Sequence, residues 1–200
     1  MEQNLDMLRQ EIVDKSLEAF REGLFSGTSG NMSCRIAPDE MLITPTSVRY
    51  DVLRARDIVR MKLDGTVLEG KLQPSSEWRM HAAVYEAYSE VNAVFHTHSP
   101  YATAFAVVRR SIPTVLIESR IFLGGDVRCA EYAAPGTKEV GENAVPALKD
   151  RGGCTLANHG VLAVGKDLAQ AYLRAEYIED VAKIYTYSKA IGTPVTLDTL

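Results

Sequence analysis

Apolar residues recur at helical spacing near the start of the chain. Leu5, Leu8, Ile12, Leu17, Phe20 and Leu24 stand among charged positions, which predicts an amphipathic helix over residues 4–23, stopped by Gly23. A small polar loop follows at 25–31. Two short apolar runs, 32–36 and 41–44, flank the turn Ala37-Pro38-Asp39-Glu40 and predict a strand pair. Residues 58–63 and 66–68 flank Asp64-Gly65, a strong hairpin signal. The second half is richer in helix. Pro74-Ser75-Ser76 precedes a helical run at 77–88, with Ser76 as the expected N-cap. Residues 92–96 predict a buried strand and 100–108 a short helix. Strands are expected at 114–117 and 127–130, a helix at 137–148 whose end Pro146 blurs, apolar strands at 154–157 and 161–164, and a long closing helix at 167–190. No repeat or linker interrupts the chain. Residues 1–200 are expected to form one mixed α/β domain, and the hairpins predict much antiparallel pairing.

Composition narrows the partners. A chain that is 46% hydrophobic and 24% charged has enough apolar material for a core without staples. Twenty-six acidic against 22 basic side chains leave a net charge of −4, which argues against a nucleic-acid footprint built on clustered Lys and Arg. No apolar run approaches a membrane span. The N-terminal stretch carries charges throughout, unlike a signal peptide. Cys34, Cys129 and Cys154 are odd in number and form no C-x-x-C pair; a reducing cytoplasm is the expected setting.

Chemistry concentrates at the histidines. Of the four, His96 and His98 stand two apart at the end of an apolar run, so an extended chain points both to one face. His159 lies in a small loop between two further apolar runs. Three imidazoles with an open fourth position are the pattern of a catalytic zinc site, whereas a lone His-x-His is more often structural, and spacing alone does not bring His159 to the other two. Glu77 opens a helix: it is either a carboxylate favoured by the helix dipole or a general base beside a metal. His81, one turn on, is expected to be a partner or a surface residue. The loops Gly27-Thr28-Ser29-Gly30-Asn31 and Pro74-Ser75-Ser76 offer hydroxyls and backbone N–H groups to an anion, although most such clusters are turns. Gly160-Val161-Leu162-Ala163-Val164-Gly165-Lys166 imitates a phosphate loop. Asp167 stands where a hydroxyl should meet magnesium, and the apolar interior predicts a strand, so nucleotide binding is rejected. With no G-x-G-x-x-G, a nicotinamide cofactor has no support either.

The strings GTSGNMS, MLITPTSV, GKLQPSSEWRMH, VFHTHSPYATAFA, IPTV and LANHGVLAVG, in this order and spacing, resemble the class II aldolase family from about residue 3 to about residue 190. The resemblance implies a central, mainly antiparallel sheet flanked by helices. It implies Zn2+, or another divalent transition metal, on His96, His98 and His159, and an acid–base role for Glu77. Thr28, Asn31, Ser75 and Ser76 would bind the substrate phosphate, joined by Thr46 or Ser47. The implied reaction is reversible cleavage of a deoxyketose 1-phosphate, of 5-deoxypentulose or 6-deoxyhexulose type, to dihydroxyacetone phosphate and a short aldehyde. Related members act as epimerases or dehydratases on the same metal site, and the adducin head is non-catalytic. Members are commonly C4 tetramers with active sites between subunits, and the segment 115–123, with Glu118 and Arg120, is expected near that contact.

This sequence departs from the family pattern in three places. Ser47 stands where the family's aldolases of this type carry Gly. Ile117 stands where they carry a catalytic Tyr. Their C-terminal tail, which helps close the site, finds no match before Leu200.

Overall fold

The computed structural model describes residues 2–197. Helix α1 (Glu2–Arg21) leads into strands β1 (Asn31–Ala37) and β2 (Glu40–Ile43), then the hairpin β3 (Val59–Lys62) and β4 (Val67–Glu69). Helix α2 (Trp78–Ala87), β5 (Ala93–Thr97) and α3 (Pro100–Val107) follow. The chain then runs through a π-helical turn (Ser119–Leu123), β6 (Arg128–Ala130), α4 (Lys138–Leu148), β7 (Gly153–Leu156), β8 (Gly160–Gly165) and α5 (Leu168–Ile191). The eight strands form one sheet in the order β4-β3-β2-β1-β5-β8-β7-β6. Every neighbouring pair is antiparallel except β6–β7. The class is therefore the α/β architecture expected, with mainly antiparallel pairing.

Two-residue periodicity sorts the core onto the two faces of the sheet. Ala93 and Phe95 of β5, Val161 and Ala163 of β8 and Leu42 of β2 join residues of α1, α3 and α5, among them Ile12, Ala102 and Ile178. Val94, Leu162, Val164, Met41 and Ile43 pack on the other side against Met80, Val84 and Tyr85 of α2 and Val140 and Ala144 of α4. Helices α2 and α4 approach closely because Gly141 has no side chain; a Cβ there would stand 2.5 Å from that of Ala83. The strands β5, β7 and β8 are buried along their whole length, which is why they are nearly continuous apolar runs.

Two expectations change, and the uncertain end of α4 is settled. Residues 114–117 form no strand. Among the described residues, the ladder position beside β7 is taken by β6; the isolated bridge Ile112–Val127 precedes this segment, and within it Thr114 O accepts from Leu197 N–H at 2.7 Å and Leu116 O from Ser119 N–H at 3.1 Å. Its Val115 and Leu116 still pack against the core, so burial rather than strand pairing accounts for their apolar character. The α2 N-cap is Glu77, not Ser76. Pro146 lies within α4 and does not end it early, because the helix has only two residues left to run and little hydrogen bonding to lose. Among the described residues, no helix is long and apolar enough to cross a membrane.

Candidate active site

Asn31 of β1 lies directly opposite His96 of β5, which in turn faces Leu162 of β8. His98 follows one residue after β5, on the same side of the chain as His96. The β7–β8 turn, closed by the Leu156–Gly160 pair, carries His159 to the same end of the sheet. The turn is tight enough that Asn158 adopts φ 54°, a conformation Asn tolerates better than most residues. Glu77 arrives from α2. Its segment hangs on the end of β2, where Ser75 N–H donates to Thr44 O and Thr46 N–H to Gln73 O, each at 3.0 Å. Ser75 Oγ accepts from Glu77 N–H at 3.3 Å. Ser75 is thus the side chain that holds the start of α2, while Ser76 is exposed.

The three imidazoles stand edge-on to one another, with ring centroids 4.8–5.2 Å apart. One ligand atom from each, and one from Glu77, all lie within 4.8 Å of one another. His96 Nδ1 lies 2.8 Å from Val161 O. A carbonyl only accepts, so Nδ1 carries the hydrogen and Nε2 of the neutral ring is a bare lone pair. That Nε2 lies 3.0 Å from His98 Nε2 and 3.1 Å from Glu77 Oε2. Glu77 Oε1, 3.0 Å from His159 Nε2, is buried and receives no well-directed hydrogen bond. Ligand atoms gathered within 4.8 Å of one another, with an orphaned carboxylate oxygen among them, form a donor set that fits a divalent metal. Burial holds the His98 imidazole down to about 4, with His96 and His159 adding to the effect; a neutral ring is the form that ligates. Burial by itself would raise the Glu77 carboxyl. Positive charge at the cluster, carried by the His96 and His159 rings when they are protonated, outweighs it and holds the group far below the usual carboxylate range.

Beside this cluster lies a cavity of about 370 Å³. It is lined by all six hydroxyl or amide residues singled out from the sequence: Thr28, Asn31, Thr46, Ser47, Ser75 and Ser76. Glu77, His98 and His159 form another part of its wall, and no Lys or Arg takes part. Gly30 lets the 25–31 loop close over β5. It holds φ 83°, and a Cβ would stand 2.5 Å from the Phe25 ring and 2.8 Å from His96 O. Ser47 also takes a left-handed conformation, φ 60°, the kind of position where Gly costs least. Asn31 faces two ways: Nδ2 donates to Glu77 Oε2 at 2.9 Å, and Oδ1 meets His81 Nε2 at 2.5 Å. His81 is fully buried, so of the two roles expected for it only that of a partner holds. Ser29, Pro45 and Pro135 also line the cavity. Ser29 lies inside a string already noted, whereas Pro135 sits in the loop after β6 with no motif to reveal it. Ile117, Glu118 and Arg120 are not among the cavity's lining residues.

The family model for the class II aldolase and adducin N-terminal domain matches residues 10–186. The chain belongs to the class II aldolase family. Among class II aldolases, it is 41% identical to L-fuculose phosphate aldolase of Escherichia coli K12 over 195 residues, 98% of this chain and 89% of that one. It is 39% identical to 5-deoxy-D-ribulose 1-phosphate aldolase of Bacillus thuringiensis serovar kurstaki, over 94% of this chain and 89% of the other. A solved structure of L-fuculose 1-phosphate aldolase superposes with a TM-score of 0.90 at 38% identity, covering 95% of this chain and 90% of that one. A class II aldolase is metal-dependent, and among the described residues the His/Glu cluster is a place that fits a metal.

Proposed function

We propose that this cavity takes a deoxyketose 1-phosphate of 5-deoxypentulose or 6-deoxyhexulose type, with zinc on His96, His98 and His159 and with Glu77 moving the proton. The chain is a class II sugar-phosphate aldolase, a carbon–carbon lyase, and aldol cleavage of a deoxysugar phosphate is the reaction its relatives support. One observation carries the finer reading. The carboxylate and imidazole cluster and the hydroxyl-lined pocket are two walls of one cavity, so a phosphate held at one wall sets the neighbouring carbonyl carbon at the other.

When bound, zinc supplies a Lewis acid that draws charge from the ketose carbonyl and hydroxyl oxygens. The chain's own residues do the rest. Thr28, Ser47 and Ser76 have backbone N–H groups with no partner among the described residues. With the hydroxyls of Thr28, Thr46, Ser47, Ser75 and Ser76 and the amide of Asn31 they form a neutral anion pocket. In cleavage the bond between C3 and C4 breaks, the C4 hydroxyl loses its proton as the aldehyde leaves, and C3 must gain one. Glu77, ionised at rest, takes up the C4 hydroxyl proton and delivers it to C3; in the aldol direction it removes the C3 proton and returns it to the new hydroxyl. Ionised and buried beside the histidines, its carboxylate has one oxygen steadied by Asn31 and the other bare.

Assembly and setting complete the reading. Ile117 and Ile121 expose large apolar surface beside Glu118 and Arg120, which suits a contact in a closed homotetramer whose active sites lie between subunits. A single domain acting in the cytoplasm accords with the cysteine usage noted above.

Glu77→Gln tests the proton step. The variant keeps the shape of the side chain and the three imidazoles, so it should still bind one zinc per chain. Exchange of the C3 proton of dihydroxyacetone phosphate with solvent, with no aldehyde present, should fall by about 10²–10⁴-fold, the range for one general acid–base group. A variant that holds zinc and exchanges at the wild-type rate would make Glu77 a helix cap only. Release of dihydroxyacetone phosphate from the ketose phosphate by the wild-type protein separates cleavage from dehydration or epimerisation.

A further inference from the structure

A chain of buried polar groups runs beneath Glu77, and the chemistry above uses only its last two members, Asn31 and Glu77. His81 and Tyr85 stand one turn apart on α2, facing Ser33 and Asn31 of β1. His81 and Ser33 have no exposed surface. Tyr85 Oη lies 2.7 Å from Ser33 Oγ, and Ser33 Oγ lies 2.7 Å from His81 Nδ1. His81 Nε2 then meets Asn31 Oδ1 at 2.5 Å, and Asn31 Nδ2 meets Glu77 Oε2 at 2.9 Å. Four contacts therefore link a phenol on α2 to the carboxylate at the head of the same helix, crossing to β1 and back.

The direction of every bond follows from the end that cannot donate. An ionised carboxylate only accepts, so Asn31 must turn its NH2 toward Glu77. Its oxygen then faces His81, and Nε2 of that ring must carry the hydrogen. In the neutral imidazole Nδ1 is consequently bare and accepts from the Ser33 hydroxyl, whose oxygen accepts from Tyr85. Reversing any one link sets two acceptors or two donors against each other in a buried site, at a cost beyond that of simply losing a bond. Burial keeps the ring neutral, pushing its pKa down to about 3 against the pull of Glu77 and with the help of His96; the other ionisable group facing it through Ser33 is Tyr85, whose phenol burial pushes upward.

We propose that His81 is a positioning residue: held as the neutral Nε2–H tautomer by Ser33 and Tyr85, it locks the Asn31 amide so that Asn31 donates to Glu77 Oε2 and leaves Oε1 bare for the proton that Glu77 moves. The inference rests on the reading of Glu77 as the acid–base group. It explains why the ring is wholly buried behind the site, outside the cavity, and why the two oxygens of one carboxylate have such different surroundings. Asn31 thereby couples the pocket wall to the carboxylate.

The test has one arm that needs no substrate. Histidine side-chain 15N spectra of the purified wild-type protein should show His81 with Nε2 protonated and Nδ1 bare, without titration from about pH 5 to about pH 9, whether or not metal is added. A protonated Nδ1, or an imidazolium at neutral pH, would overturn the proposal. The second arm compares two substitutions. His81→Gln can present an N–H near the Nε2 position and should keep kcat for the ketose phosphate within about fivefold of wild type. His81→Asn reaches toward Ser33 but not Asn31. It should lose about 10–100-fold in kcat, the usual penalty for removing a group that orients a site residue, with KM changed by less than about threefold. Equal losses in the two variants, or a wild-type kcat in His81→Asn, would make the chain merely structural. If the wild-type protein turned over no ketose phosphate, the functional reading would fall while the 15N spectrum still decided the tautomer.

Discussion

Gly160 follows the third histidine and opens strand β8, and adding one methyl group there should unmake the site. A Cβ at this position would stand 2.3 Å from Thr97 O, with His96 Cε1 and His98 Cδ2 each at 3.1 Å. Even the short C–H···O contacts of sheets need about 3.3 Å, so β8 and β5 must part by roughly 1 Å at the rung where both paired histidines are anchored. Thr97 O is backbone inside a sheet buried on both faces, and no flexible side chain can absorb the shift. Overpacking of this kind costs about 1–3 kcal/mol, a fall in Tm of roughly 2–12 °C for a domain of this size. The larger effect is on chemistry, because a misplacement of about 1 Å costs on the order of 10²-fold in rate. Gly160→Ala should therefore show a modest loss in calorimetry, a metal content well below one per chain after dialysis, and turnover down by about 10²-fold or more. Gly192→Ala is the control, since a Cβ there meets nothing within 4 Å. If Gly160→Ala melts with the wild type, keeps its metal and keeps its rate, the sheet is more yielding than this reasoning allows.

Three further expectations follow from the same geometry. Thr28→Val and Ser76→Ala each remove a hydroxyl from the pocket wall and should raise KM for the phosphorylated substrate by about 10–100-fold, with kcat within about threefold; equal turnover of phosphorylated and unphosphorylated ketose would contradict the anion pocket. The metal-free protein should lose stability in acid. Burial first of all depresses the His81 pKa from its ordinary 6.5 to about 3, so between those values the unfolded chain binds the proton and the folded one does not. That contribution is present above about pH 6.5 and is lost as the pH falls toward about 3; denaturant midpoints of His81→Gln should vary less with pH over this window, and parallel curves would refute the assignment. Light scattering should report four copies per particle at working concentration, and a fully active monomer would remove the subunit-interface role of Ile117 and Ile121.

Most of the architecture is written in local pattern. The apolar runs 32–36 and 41–44 around the turn 37–40, and 58–63 and 66–68 around Asp64-Gly65, are enough to place the β1–β2 and β3–β4 hairpins, because such turns admit few alternatives; the β2–β3 pairing spans residues 44–58 and has no local signal. The His-x-His pair is equally legible, since period-two geometry alone puts both rings on one face. His159 is different. Its approach to the pair depends on β8 lying beside β5, a contact between residues more than sixty positions apart, and only the resemblance supplied it beforehand. Residues 114–117 mislead because Val115 and Leu116 are apolar for packing rather than for pairing. Ser76 misleads because Ser and Glu are both acceptable helix starts, and the choice is made by Ser75 bonding back to the Glu77 N–H. His81 is undecidable by pattern: a single polar residue on an apolar helix face is equally consistent with a solvent edge, and its partners Ser33 and Asn31 sit on a strand nearly fifty residues earlier.

The strand order also governs when the site can come into being. Strands β1 to β4 pair with sequence neighbours and can zip together as they emerge during synthesis, but β5 must return to β1, and β8 must then return to β5. Loop-closure entropy makes such distant pairings the slow events of folding. His96 and His98 emerge early and wait, exposed, until residue 165 has been made and β8 has docked. A metal ion therefore has no complete set of donors to nucleate around. It can trap the finished sheet, slowing its unfolding, but it cannot guide the chain toward it.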